Sequence, residues 1–166
     1  RHYNQTHAQQ GLDYQKERRK TDAAFAIKCR MRARLTNCLK KSSSSKADHA
    51  MNLVACSPAE LVNHLKEQLP EFDTAMHHVD HIFPFNLFDI EEEEQQRRVM
   101  NWSNTQSLTQ PENSSKSDKL PTKAMAAKVN PSCWPDGVTM DDLPNIYPGW
   151  ATPLRMFASA SPGAGS

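Results

Sequence analysis

The sequence predicts an α+β fold, in which a small core of helices and two short strands lies between a basic helical N-terminal arm and an extended Pro-rich C-terminal tail. Apolar residues recur every three to four positions through residues 27–39, which is typical of an amphipathic helix. Two short runs of β-forming residues, at 79–83 and 104–108, flank a segment with a helical charge pattern. A chain of 166 residues, 37% of them apolar, suits one modest domain.

Residues 1–46 form the predicted arm and carry most of the positive charge. They hold 12 Lys and Arg against 3 Asp and Glu, a balance of +9, whereas residues 47–166 hold 8 against 16, a balance of −8, which leaves +1 in total. Residues 1–12 are polar and featureless, and the pattern turns helical from about Asp13 to Lys41. Such segregated charge favours a polyanionic partner. We expect nucleic acid to contact the basic side chains beside the apolar stripe: Lys28, Arg30, Arg32, Arg34, Lys40 and Lys41.

Two other interpretations of this basic helix stay open. It can be an ordinary solvated face, or it can lie on an anionic membrane, although it lacks the Trp-, Phe- and Leu-rich face that such helices use. No run in the chain approaches the roughly 18 apolar residues of a membrane span. We therefore favour nucleic acid, DNA before RNA, and expect no membrane partner.

The cysteines and the first residue bear on the compartment. Because no two cysteines form a C-x-x-C pair, we expect no structural zinc and inert thiols in a reducing, intracellular compartment. Position 1 is Arg rather than Met, so we expect a processed or trimmed chain, which is compatible with an organelle such as a mitochondrion or a plastid. The four cysteines are Cys29, Cys38, Cys56 and Cys133.

The body of the domain is predicted at 47–120. A run of four serines at 42–45 coincides with the change in the sign of the charge and favours a flexible joint between arm and body. In the segment 57–60, Ser-Pro-Ala-Glu, the Ser can cap a helix, the Pro suits the first helical position and the Glu can bond back to the cap. A helix should therefore begin at Pro58, and Pro70 limits its length.

The centre of the chain alternates between strands and helices. A short strand is predicted within 77–84, where β-forming residues precede a proline, and Asp80 and His81 are expected where this strand ends. Acidic residues followed by basic ones at 91–98 match the dipole of a helix. A second strand is predicted at 104–108, and a Pro-Glu-Asn start indicates another helix over 111–119.

Potentially reactive side chains stand where these elements end. The pattern is His78-Val79-Asp80-His81-Ile82-x-Pro84, then Asn104-x-Gln106-x-Leu108, then Glu112-Asn113-x-x-Lys116-x-x-Lys119. It resembles the HNH endonuclease family, whose core is the ββα-metal fold. Residues 20–40 and 56–65 also look like the N-terminal part of a phage- and bacterial-type subgroup of that family, so that the resemblance covers roughly residues 18–121. The Asp-His dipeptide alone is a weak signal, and its joint spacing with the two Asn residues makes the pattern specific.

The residue types of this pattern fit metal-assisted hydrolysis of a phosphodiester. Asp80 is a hard oxygen donor suited to Mg²⁺, and Asn113 can supply a second, neutral oxygen from the following helix. His81, with an ordinary pKa of about 6.5, is largely neutral at pH 7 and can take a proton from the attacking water. One divalent ion is therefore expected, Mg²⁺ first and Mn²⁺ as the other candidate.

The resemblance implies roles for four more residues. Asn104 is the family's middle Asn, counted with the catalytic residues, and it braces the hairpin and the orientation of the base. His78 is the first His of the family's His-x-Asp-His form, and it either lines the metal site or packs. Lys116 and Lys119 are candidate phosphate contacts, with a plain surface role as the alternative.

Residues 121–166 form the predicted tail. They hold 7 of the 11 prolines and 4 of the 5 glycines, show no sustained period, and should not form a second core. Five large apolar side chains in this segment are expected to dock on a partner protein, with packing on the chain's own domain and plain disorder as the alternatives. These side chains are Trp134, Ile146, Tyr147, Trp150 and Phe157.

Two functions are compatible with these features. The first is a metal-dependent HNH endonuclease that cleaves DNA. The second is a non-catalytic descendant of the same fold, a nucleic-acid-binding or structural subunit of a large assembly such as an organellar ribosome. The intact motif favours the first function, and the long tail together with an arm that suits any RNA favours the second.

Overall fold

The computed structural model of the chain describes residues 2–42 and 45–146, and within them it shows an α+β fold. Seven helices in the described residues surround one sheet of two antiparallel strands. The helices are α1 (His2–Thr21), α2 (Ala23–Ser42), α3 (Ala50–Val54), α4 (Pro58–Gln68), α5 (Glu93–Met100), α6 (Gln110–Lys116) and α7 (Lys123–Ala126). The strands are β1 (His77–His81) and β2 (Thr105–Thr109).

The N-terminal segment forms two helices where the sequence predicts one. The break lies at Asp22, whose carboxylate accepts the backbone N–H of Phe25 at 2.9 Å and so caps the start of α2. Residues 2–12, predicted to be featureless, belong to α1. Pairs one turn apart support this polar helix, such as the 2.9 Å contact between Lys20 Nζ and Glu17 Oε2. Because α1 is supported by polar pairs and not by an apolar stripe, its sequence has no hydrophobic periodicity from which the helix could be predicted.

Helix α2 belongs to the body of the domain. Its stripe of Ile27, Met31, Leu35 and Leu39 is buried in one core cluster with Leu61 of α4. The segment before α3 is also bound to the body of the domain through Gln96, a buried residue of α5. Its Nε2 donates to the Ser45 carbonyl, and its Oε1 accepts the N–H of Ala47. The predicted boundary at residue 46 therefore divides a single hydrophobic core.

The described part of the predicted tail, residues 121–146, packs on the same core. Ala126, Val129, Cys133 and Leu143 are all buried within it, and short 3₁₀ turns connect them. Polar side chains supply the backbone partners of these turns, as where Asn130 Oδ1 accepts the N–H of Ser132 at 3.2 Å. Such a segment can pack on the core without regularly spaced apolar residues. The sequence predicts an extended tail here, and the packed segment differs from that prediction.

The start of α4 agrees with the sequence-based prediction. Ser57 Oγ accepts the N–H of Glu60 at 3.3 Å, and a Glu60 carboxylate oxygen accepts the N–H of Ser57 at 2.7 Å, which completes a capping box. The prediction that a helix begins at Pro58 is confirmed.

The hairpin places the motif residues next to one another. β1 and β2 pair antiparallel with Asp80 opposite Gln106 and His81 opposite Thr105. A second capping box, between Thr109 and Glu112, begins α6 directly after β2. The first strand, β1, ends at His81, within the predicted segment 77–84 and at the Asp80-His81 pair where its end is expected, and α6 packs against both strands.

Candidate active site at the end of the hairpin

Asp80 lies at the centre of a buried polar network that joins four elements. Its side chain is 5% exposed, and its Oδ1 accepts Nη2 of Arg34, from α2, at 2.8 Å. Its Oδ2 accepts Nζ of Lys116, from α6, at 3.0 Å and Nε2 of Gln106, from β2, at 3.2 Å. The carboxylate therefore connects the hairpin to the helix before it and to the helix after it.

The charges around Asp80 keep it ionised. Burial raises the pKa of this carboxyl, but the cations of Lys116 and Arg34 outweigh burial and hold the pKa below its ordinary value. Asp80 supplies one negative charge against two positive charges. The network therefore carries a net charge of +1, with Lys116 only 1% exposed.

His81, the next residue on β1, is fully buried and lacks hydrogen-bond partners. Neither Nδ1 nor Nε2 has a partner, and the ring stands edge-on to the Phe85 ring with the centroids 4.7 Å apart. Burial, together with the nearby cation of Arg34, lowers the pKa of His81 to about 3, although the charge of Asp80 opposes the shift. The imidazole is neutral in this environment, and two buried nitrogens without partners are an uncommon and costly arrangement.

Asn104 holds the chain that follows His81. Its Oδ1 accepts the N–H of Phe83 at 2.8 Å, and its Nδ2 donates to the carbonyls of Phe83 at 3.1 Å and Val99 at 3.0 Å. Its own carbonyl accepts the N–H of Ile82 at 2.8 Å. The side chain is fully buried, and it ties the segment after β1 to the end of α5.

The other two motif residues are more accessible. Asn113 is half-buried on α6, three residues before Lys116 and therefore about one helical turn from it. His78 is exposed on β1, where it pairs with Leu108 in the register of the hairpin. The structure gives His78 no contact with Asp80 or His81, and its place in the site stays a prediction.

The donors expected for a divalent ion fit that ion in kind. Asp80 and Asn113 offer the hard oxygens that Mg²⁺ prefers, although among the described residues no group of three or more His, Cys, Asp and Glu side chains could hold a metal. Three of the roughly four acceptor positions of the Asp80 carboxylate are occupied, two of them by Arg34 and Lys116. An ion at this carboxylate therefore competes with a basic side chain.

The basic residues of the sequence pattern point in two directions. Lys28, Arg32 and Lys40 are exposed along α2, and Lys119 is exposed after α6. The side chain of Lys41 lies outside the described residues.

Arg30, Arg34 and Lys116 correct the expectation of solvent-facing phosphate contacts. The Arg30 guanidinium donates to the His77 carbonyl at 2.9 Å and to the Thr74 carbonyl, while the other two bind Asp80. Arg30 and Arg34 each precede a buried residue of the apolar stripe by one position, so their side chains flank the buried face of α2 and reach β1.

Gln106 and Phe85 also belong to the site, although the sequence pattern gives neither of them a role there. Gln106 is buried and bonds Asp80, and alternation along β2 places it on the face of Leu108. That signal needed the register with β1, which the sequence does not supply. Phe85 lies between His81 and Arg34, whose guanidinium carbon is 5.9 Å from the centre of the Phe85 ring.

The aromatic anchors of the C-terminal segment divide between packed and exposed residues. Trp134 is half-buried against the Phe83 ring, with centroids 5.0 Å apart, and its Nε1 donates to the Val129 carbonyl at 3.3 Å. Ile146 is 78% exposed. The remaining three anchors, Tyr147, Trp150 and Phe157, lie outside the described residues.

None of the four cysteines forms a disulfide within the described residues: Cys29, Cys38, Cys56 and Cys133. In the part of the chain that is described, no helix has the length and apolar character needed to cross a bilayer.

The fold and the site thus define an α+β protein with a buried Asp-His pair at the end of a two-stranded hairpin. The sequence matches no protein-family model, and comparisons with curated proteins and with solved structures give no match. The argument for a function therefore depends on the residues of the site.

Proposed function

We propose that the chain is a metal-dependent endonuclease of the HNH type, with a ββα-metal core formed by β1, β2 and α6, that hydrolyses phosphodiester bonds of DNA. The observation that carries the proposal is the pair formed by His81 and Asp80. A neutral imidazole with two free nitrogens adjoins a carboxylate that its neighbours keep ionised. Strongly perturbed titratable groups that lack structural partners concentrate at functional sites.

The roles of the residues follow from their chemistry. Asp80 and Asn113 would hold the divalent ion, which when bound supplies a Lewis acid for the charge that develops on the phosphate and the leaving oxygen. His81 takes a proton from the attacking water. Asn104 is a positioning residue, because its three side-chain hydrogen bonds fix the backbone that directly follows His81.

Catalysis requires that the site open from the described state. His81 has no exposed surface, and a base whose pKa is about 3 is too weak for work at neutral pH. Entry of water beside Phe85, which covers the ring, would restore the solvation of the imidazole and return its pKa toward the ordinary value of about 6.5. Exposed basic residues then supply the phosphate contacts, with RNA as the alternative ligand: Lys28, Arg32, Lys40 and Lys119.

A second candidate function is favoured by the same closed geometry. Two basic side chains occupy the Asp80 carboxylate and His81 is fully covered, as expected if the network serves only to hold α2, the hairpin and α6 together. The chain would then be a non-catalytic subunit that binds nucleic acid in a large assembly such as an organellar ribosome. Ile146, which is exposed and is the last described residue, would be part of the surface for a protein partner.

Cleavage of supercoiled plasmid by the purified full chain tests the proposal. We expect nicked product in the presence of Mg²⁺ or Mn²⁺ and none with a chelator. We also expect none from His81→Leu, in which an apolar side chain replaces the buried imidazole. His49→Leu, which changes an exposed histidine, is the matched control and should retain cleavage. Absence of metal-dependent cleavage by the unmutated protein would refute the enzyme, and stable recovery within a large ribonucleoprotein would support the second candidate.

A further inference from the structure

Lys116 is the buried cation of the Asp80 network. Its side chain is 1% exposed at the end of α6, with Nζ 3.0 Å from Asp80 Oδ2 and 3.5 Å from the carbonyl oxygen of Ser117. Lysine is seldom fully buried, and a buried ammonium needs a nearby anion. Asp80 is the anion that retains Lys116 inside the protein.

The charges of the network leave one cation in excess. A single carboxylate is neutralised by one basic side chain, and Asp80 has two, so that either Arg34 or Lys116 can leave without exposing an unpaired negative charge. Arg34 is additionally placed over the Phe85 ring and its side chain is 35% exposed, which lowers the cost of its charge. Lys116 shares Oδ2 of Asp80 with Gln106.

Lys116 lies where α6 ends and the chain reaches the surface. Lys116 is the last residue of a seven-residue helix, and Ser117, with φ of 47°, turns the chain into the exposed residues Asp118 and Lys119. A lysine has four rotatable methylene groups and three donors without a fixed geometry, so its ammonium can leave the carboxylate while the helix stays in place.

We propose that Lys116 is a resident cation at Asp80 that gives way when a divalent ion binds there, an inference that rests on the proposed function. Lys116 and the ion compete because each is a cation that needs the Asp80 carboxylate at close range. The protein therefore keeps Asp80 neutralised when no metal is present. The released ammonium becomes available to a phosphate, which is the contact that the sequence predicts for Lys116.

Binding of Mn²⁺ to the full chain, measured by titration calorimetry without DNA, tests the competition. Lys116→Met keeps the length of the side chain and removes its charge, so it should tighten Mn²⁺ binding by roughly tenfold or more, because a positive charge within a few ångströms opposes the ion. Lys66→Met, the same change at an exposed position of α4, is the control and should leave Mn²⁺ affinity unchanged. An affinity of Lys116→Met equal to or weaker than that of the wild type would overturn the inference.

A second measurement needs no variant. Acetylation of the wild-type protein by an amine-reactive ester, followed by peptide mass spectrometry, reports whether Lys116 is accessible. We expect slow modification of Lys116 in the metal-free protein and faster modification at saturating Mn²⁺, with the rate at Lys66 unchanged. Continued protection of Lys116 while Mn²⁺ is bound would overturn the inference.

The plasmid assay separates failure of this inference from failure of the proposed function. Mn²⁺-dependent cleavage together with an unchanged Mn²⁺ affinity of Lys116→Met would refute the inference and leave the endonuclease standing. Tighter binding by Lys116→Met without cleavage by the wild type would support the competition and refute the enzyme. Absence of both Mn²⁺ binding and cleavage would refute the two together.

Discussion

Replacing Asp80 by Asn removes the negative charge that holds Lys116 and Arg34 at the hairpin, with almost no change in the volume of the side chain. Asp80 is ionised in the folded protein, because the two cations outweigh burial and lower its pKa. In the variant Lys116, which is 1% exposed, loses its anion, so that its ammonium either stays buried without a partner or leaves an unfilled space between α6 and the hairpin, and both outcomes cost stability. We therefore expect Asp80→Asn to lower the free energy of unfolding substantially.

The magnitude follows from the exposure of the two cations. Removing one partner of a buried ion pair costs about 3–5 kcal/mol. The Arg34 side chain is 35% exposed and can turn toward water, so its contribution is screened to below about 1 kcal/mol. The Asn oxygen still accepts one hydrogen bond, which places the expected loss near the lower limit, about 3 kcal/mol. For a chain of this size that loss corresponds to a decrease in Tm of roughly 6–12 °C.

Urea and thermal denaturation followed by circular dichroism provide the measurement. The control is Asp136→Asn, which removes an exposed pair with Arg98, 2.6 Å between Oδ1 and Nη1, and should change stability by no more than about 0.5 kcal/mol. The double variant Asp80→Asn/Lys116→Met should recover at least about 1 kcal/mol of the loss, because it leaves no unpaired buried cation. A loss below about 1 kcal/mol in Asp80→Asn, or simple additivity in the double variant, would refute the reasoning.

Three further predictions concern His81, Asn104 and the basic face of α2. His81 has a folded pKa of about 3 against about 6.5 when unfolded, so only the unfolded chain takes up a proton between these values. Through this residue, the free energy of unfolding of the wild type should therefore decrease by about 2 kcal/mol between pH 7 and pH 5. In urea denaturation, His81→Leu should show a smaller decrease over the same pH range. Equal decreases in the two proteins would contradict the lowered pKa of His81. Asn104→Ala leaves three buried backbone groups unpaired and should cost about 2–4 kcal/mol in the same assay, whereas a cost below about 1 kcal/mol would show that the amide is dispensable. In fluorescence-anisotropy titrations with DNA, Arg32→Ala should reduce the slope of log affinity against log salt by about 0.9 and leave the stability unchanged. Arg30→Ala should lower the stability and leave the slope unchanged. Similar slopes in the two variants would contradict the division between outward and inward side chains.

Local signals account for the parts of the fold that could be predicted from the sequence. The capping box at 57–60 fixes the start of α4, because the cap and the residue three positions later bond one another's backbone. The second strand was predicted within one residue of its observed start at Thr105, and the helix that follows was predicted from its proline and glutamate. Each of these features depends on residues that are close to one another in the sequence.

Other features depend on contacts between distant parts of the chain, and the sequence could not supply them. The position of Gln106 opposite Asp80 requires the hairpin register, and the burial of Lys116 requires the packing of α6 on β1. Residues 121–146 show no periodicity, and yet they pack, because turns with side-chain caps satisfy their backbone while single apolar residues enter the core. Periodic patterns of apolar residues predict helices and strands, and a segment without such a pattern cannot be predicted in this way.

The charge balance of residues 1–46 illustrates how three-dimensional contacts change the meaning of composition. The balance of +9 suggests a uniformly basic arm. However, Arg30 donates to the carbonyl of His77, the first residue of β1, Arg34 binds Asp80, and Arg18 pairs with Asp22 at 3.1 Å. The charge available to a partner is carried by residues such as Lys28 and Arg32, on the exposed side of the same helix. Since the inner side of α2 holds Asp80, a movement of α2 on binding nucleic acid would necessarily disturb the Arg34 contact with this carboxylate. One helix thereby carries both the proposed binding surface, on its exposed side, and a contact of the proposed catalytic site, on its inner side.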